Sequence, residues 1–86
     1  MDFDERVNAV SNLAQEWLSK KEQDVAKPAE LMNYLVEKGV YKKDNRKGKP
    51  LRDDLRKLKE KNQLGRIRGL VAEKKQQNIY WSIKRI

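Results

Sequence analysis

Pro50-Leu51-Arg52-Asp53-Asp54-Leu55-Arg56-Lys57-Leu58-Lys59-Glu60-Lys61-Asn62-Gln63-Leu64 is the stretch that orders the rest of the chain. Leu51, Leu55 and Leu58 recur at i, i+4 and i+7, a narrow apolar stripe on an otherwise charged helix. Pro50 suits its opening, because the N–H that proline lacks would find no helical partner in the first turn. The spacing predicts a helix from Pro50 to about Asn62, closed by Leu64 and Gly65. Asp53 and Asp54 fall near its positive end, where their charge is favourable.

The same device stands upstream. Pro28 opens a second helix, Leu31, Met32, Leu35 and Val36 give its apolar side, and Gly39 stops it. Val40 and Tyr41 follow as buried anchors. Before it, Val7, Val10, Leu13, Ala14, Trp17 and Leu18 recur at three- and four-residue spacing and predict a helix over about Asp4 to Lys21. Asp2 or Asp4 can cap its start, and Lys20 and Lys21 suit its negative end. Val25-Ala26 reads as a brief extended stretch. Residues 42–50 hold five cations and one anion with no apolar period, and read as a loop.

Downstream the period changes. Ile79, Trp81 and Ile83 alternate with Tyr80, Ser82 and Lys84, the mark of a half-buried strand. Ile67 to Ala72 is the second strand candidate. Glu73 to Asn78 reads as the hairpin tip, and because it lacks glycine a longer tip is expected rather than a tight two-residue turn. The fold class is thus α+β, mainly α: one domain over residues 1–86, with three helices followed by a C-terminal β-hairpin.

Composition bounds what such a domain does. Only 37% of residues are apolar and 40% are charged, so the core is small. Neither cysteine nor histidine occurs, which excludes a disulfide and a zinc site of the usual nitrogen and sulfur ligands. The longest apolar run is three residues, too short for a membrane-spanning helix or a signal-peptide core. A soluble cytoplasmic protein is expected, and a nucleoid or nuclear place is compatible. No cofactor is implied. Nor is an enzyme: Ser11, Ser19 and Ser82 have no partnered base nearby in sequence, and Asp53, Asp54 and Glu60 diverge on one helix.

Charge is divided unevenly. Residues 1–41 carry 5 Lys/Arg against 8 Asp/Glu, and residues 42–86 carry 16 against 5, so the halves stand at −3 and +11. Core packing does not require that division. A positive lobe of this kind fits a polyanionic partner, nucleic acid first.

The order of elements resembles the winged helix-turn-helix family over nearly the whole chain. Leu51 to Leu64 looks like that family's recognition helix, Pro28-Ala-Glu-Leu31…Leu35…Gly39-Val40 is similar to its second helix, and Val25-Ala26 stands where its short first strand often lies. The resemblance implies a nucleic-acid-binding module, with duplex DNA as the first partner and transcription regulation as the commonest role. Two features depart from the pattern: the 42–50 loop is long, and Asp53 and Asp54 occupy positions where members often present base-reading side chains.

The candidate contacts follow from the charges. Arg52 and Arg56, with Lys59, lie on one face of the third helix, and guanidinium groups can grip guanine edges in a bidentate way. Lys57 and Lys61 flank the other side. Lys42, Lys43, Arg46, Lys47 and Lys49 offer phosphate contacts from the loop, Lys74 and Lys75 from the hairpin tip, and Arg66 and Arg68 from its base. Against this stands a plain solvated surface, with Asp53–Lys57 and Arg56–Glu60 as i, i+4 pairs. Trp81 is expected in the core beside Trp17, while Tyr80 points the other way and could stack on an exposed base. Two alternatives remain open: an RNA or single-strand binder on the same fold, and a protein-interaction module. The chain acts as a monomer, dimerises through its first helix, or is cut from a larger protein.

Overall fold

The leucine stripe organises the molecule. In the computed structural model, which describes residues 1–44 and 47–86, Leu51, Leu55 and Leu58 have no exposed surface. They sit on helix α3 (Lys49–Glu60) and pack with helices α1 (Phe3–Lys21) and α2 (Pro28–Glu37). Asp2 caps α1. The Glu5 N–H donates to Asp2 Oδ1 at 2.8 Å and the Asp2 N–H to Glu5 Oε1 at 3.1 Å, a reciprocal pair that satisfies two orphan donors. Helix α3 starts one residue before the expected Pro50. Gly48 there lies so close to α2 that a Cβ would come within 2.9 Å of the Ala29 nitrogen.

All three helices end alike. Glu22, Gly39 and Asn62 take left-handed backbone angles, and the amide of the next residue returns to the helix: Gln23 to Leu18, Val40 to Leu35 and Gln63 to Leu58. These bonds satisfy carbonyls that a plain helix end leaves open.

Val25 and Ala26 form strand β1, which pairs antiparallel with β3 (Asn78–Lys84). Strand β2 (Leu70–Lys75) pairs with the other edge of β3, giving one antiparallel sheet of order β1-β3-β2. Three helices and this C-terminal hairpin make a winged-helix-like arrangement of α+β class. Trp17 and Trp81 are both buried in the shared core, as the alternation in β3 predicts.

Two expectations are corrected. The first hairpin strand spans Leu70–Lys75, not Ile67–Ala72. A 3₁₀ turn, Leu64–Arg66, intervenes, and buried Ile67 follows it as a core anchor. The hairpin tip is tight rather than long, since Lys75 pairs with Asn78 and only Gln76 and Gln77 intervene. Gln76 accepts the positive φ, 54°, that glycine usually supplies.

Gly69 is the pivot into β2. Its φ is +80°, its carbonyl accepts the Lys84 N–H at 2.8 Å, and a Cβ there would overlap the Lys84 carbonyl oxygen. Gly39 has the same φ, with nothing within 4 Å of a built Cβ. Gly39→Ala should therefore cost only the backbone term, about 1 kcal/mol, and Gly69→Ala about 3 kcal/mol or more. Urea unfolding of the two variants measures the difference. Equal losses would mean that the approach of Lys84 is not tight.

Candidate nucleic-acid interface

Helix α3 divides its charges by face. The leucines and Asp54 turn inward, and Arg56 and Lys59 are exposed. Arg52 and Arg56 line an open groove of about 490 Å³ with Gln77, Asn78, Ile79, Tyr80 and Trp81 of the hairpin. The groove continues past Arg52 to Lys27, Pro28 and Ala29 at the start of α2. Arg52 also donates from Nη1 to the Lys47 carbonyl at 2.7 Å, which ties the end of the basic loop to the helix. Hairpin and third helix are thus two walls of one channel. Lys27, from the acidic half, stands on its rim, and no local pattern in the sequence marks that position.

Other candidate cations lie elsewhere. Lys57 and Lys61 stand over the Phe3 ring, 5.7 and 4.9 Å from its centre, on the side of α3 facing the start of α1. Lys42 shares a second hollow with Lys57, Arg6, Tyr41 and Asp53. Arg66 donates to Asp4 at 2.8 Å, and Arg68 to Asn12 at 3.0 Å, so both are held against α1. Lys43 and Lys47 are exposed, and Arg46 lies outside the described residues. Register separates the two tip lysines. Lys74 opposes Ile79 and shares its face of the sheet, whereas Lys75 shares the other face with Tyr80, over whose ring it sits at 5.7 Å.

The two aspartates near the start of α3 are both engaged. Asp53 pairs with Lys49 at 2.8 Å, not with Lys57, and that hydrogen bond holds its carboxyl below the usual range. Asp54 is buried and accepts three hydrogen bonds. Arg6 gives Nε at 2.8 Å and Nη2 at 3.1 Å, and the Tyr41 hydroxyl gives one at 2.7 Å. Arg6 in turn binds its proton more tightly, chiefly through the hydrogen bond to Asp54. This cluster joins α1, Tyr41 just before the basic loop, and α3. Its local clue was Asp54's position beside the leucine stripe, three residues from Leu51 and four from Leu58.

Burial, and then the hydrogen bond to Asp54, push the Tyr41 hydroxyl well above the ordinary tyrosine value of 10.0. The folded chain therefore keeps a proton that the unfolded chain loses near pH 10. This contribution is full below that pH and declines as pH rises beyond it. Tyr41→Phe should flatten the alkaline decline in stability between about pH 10 and 12. Urea midpoints recorded across that range for both proteins provide the check, and parallel curves would remove Tyr41 as the source.

No protein-family model matches the chain, and neither a curated protein nor a solved structure does. Among the described residues, no helix is long and apolar enough to cross a membrane, and no group of acidic side chains is arranged to hold a metal ion.

Proposed function

We propose that this chain is a nucleic-acid-binding module of the winged helix-turn-helix type, acting first on duplex DNA. Helix α3 would enter the major groove, with the 42–50 loop and the hairpin on the flanking phosphates. The observation that carries this reading is the groove in which Arg52 and Arg56 face the wing residues Gln77 and Asn78. It belongs to the half of the chain with a net charge of +11. Asp53, paired with Lys49, and Asp54, buried against Arg6, would read no bases themselves, and readout would fall to Arg52 and Arg56. The test is a salt titration with a random duplex. With about six phosphates engaged, log K should fall against log[salt] with a slope of roughly −5. Absence of binding at low salt would dismiss the proposal.

One observation favours a second reading, RNA or single-stranded nucleic acid. Tyr80 is 54% exposed at the wing, with the Lys75 ammonium above its ring. An exposed aromatic flanked by a cation suits base stacking. Competition among duplex DNA, RNA and single strands separates the two readings. Loss of single-strand affinity in Tyr80→Ala, with duplex affinity unchanged, would favour the second.

A further inference from the structure

Strand β3 is longer than both of its neighbours, and far longer than β1. On the β2 side it is paired from Asn78 to Ile83, but on the β1 side only Ile83 and Lys84 are covered. Hydrogen-bond direction alternates along an antiparallel strand. The Lys84 N–H goes to the Gly69 carbonyl, towards β2, and the Arg85 N–H goes to the Asp24 carbonyl, towards β1. Even-numbered residues of β3 thus address β2, and odd-numbered ones address the β1 side. Trp81 and Ile79 therefore present their N–H and C=O groups beyond the end of β1. The next partner for Trp81 in the β1 register would be residue 28. That residue is Pro28, which has no N–H and has already begun α2. Among the described residues, no strand continues past that point.

This bare edge lies along the groove. Pro28, Ala29, Ile79 and Trp81 supply apolar wall, Lys27 and Arg52 stand at one end, and Arg56 lines the continuation. We infer that the unpaired edge of β3 at Ile79 and Trp81 is an acceptor site for an extended acidic peptide, which would add as a strand in line with β1. Two complementarities select that ligand. The edge offers two donors and two acceptors, and an extended peptide answers both, whereas a phosphodiester backbone carries acceptors only and leaves the two carbonyls unmet. The rim is cationic, so side chains turned towards α3 should be carboxylates. The inference does not rest on nucleic-acid binding, although a peptide seated here would share Arg52 and Arg56 with that proposed face.

Amide hydrogen exchange on the ¹⁵N-labelled full chain tests it in two stages. In the free protein the Ile79 and Trp81 amides should exchange faster than those of Tyr80 and Ser82, which are bonded to β2. Protection of all four alike would show the edge already occupied and end the proposal. Adding the blocked pentapeptide acetyl-VEVEV-amide should then slow Ile79 and Trp81 by about tenfold near saturation. The acetyl-VKVKV-amide analogue reverses the charge, and acetyl-VPVPV-amide removes both carboxylates and the N–H groups of the same two residues, so neither should protect. Arg56 is exposed, so Arg56→Ala should leave the free exchange pattern intact while weakening acetyl-VEVEV-amide severalfold. Equal protection by the lysine or proline peptide would overturn the inference. So would protection by an oligothymidylate in place of the acidic peptide, which would give the slot to single-stranded nucleic acid.

Discussion

Asp54→Ala should lower the free energy of unfolding by about 3–5 kcal/mol, because it strands a guanidinium and a hydroxyl together, both partly buried. A domain of this length has roughly 4–13 kcal/mol in all, so the variant approaches the unfolding threshold at ordinary temperature. The argument is geometric. The Asp54 side chain is 7% exposed and Arg6 23%, and their bond spans the 48 residues between α1 and α3. Tyr41→Phe removes one charge-assisted bond and should cost about 1.5–3 kcal/mol. Arg6→Met leaves a buried carboxylate with Tyr41 as its remaining partner, and should cost nearly as much as Asp54→Ala. Combining Arg6→Met with Asp54→Leu should recover most of the loss, since replacing both ions by apolar groups leaves no unpaired charge. A double-mutant cycle by urea unfolding, closed with the Asp54→Leu single variant, measures this. Losses that simply add would show that the two side chains do not interact in solution.

That cluster also marks where the sequence stopped being readable. Helices announce themselves locally: leucines at Leu51, Leu55 and Leu58, prolines at Pro28 and Pro50, and a stop at Gly39 are all visible within a few residues. The alternation of Ile79, Trp81 and Ile83 fixed the faces of β3 in the same way. Asp54 was legible as a charge near a helix start but not as a buried one, because its partner Arg6 is remote in sequence. The start of β2 is hidden for a similar reason. Ile67 looks like strand, yet it follows a 3₁₀ turn, and the need for glycine at Gly69 comes partly from the Lys84 carbonyl opposite, which no local pattern announces. A tip without glycine reads as a long one, yet Gln76 accepts the left-handed angle and closes it tightly. At the candidate site, helix periodicity was enough to group Arg52 and Arg56. That Lys27 joins them, and that Arg66 and Arg68 turn to α1, depends on how the layers pack.

The packing also decides how a charge should be tested. Reversing two cations of α3, Arg56→Glu with Lys59→Glu, should weaken duplex DNA binding on the order of a hundredfold at 0.1 M salt, on the reading proposed above. Each phosphate contact contributes about 0.9 to the salt slope, so a slope of roughly −5 should fall to about −3. Both side chains are exposed, and the change should leave stability within about 0.5 kcal/mol, so the loss would not be one of folding. The decisive comparison is with Arg66→Ala and Arg68→Ala together. That pair lowers the net charge by two, half the change of the double reversal, and takes it from side chains held to Asp4 and Asn12 on α1. If a shaped face binds the duplex, this second variant should lose less than about threefold, through net charge alone. If a diffuse cationic cloud binds it, neutralising Arg56 and Lys59 to alanine should match the Arg66/Arg68 variant in affinity and slope. Fluorescence anisotropy at four salt concentrations separates the outcomes, and equal slopes for the two alanine pairs would remove α3 as the centre of the interface.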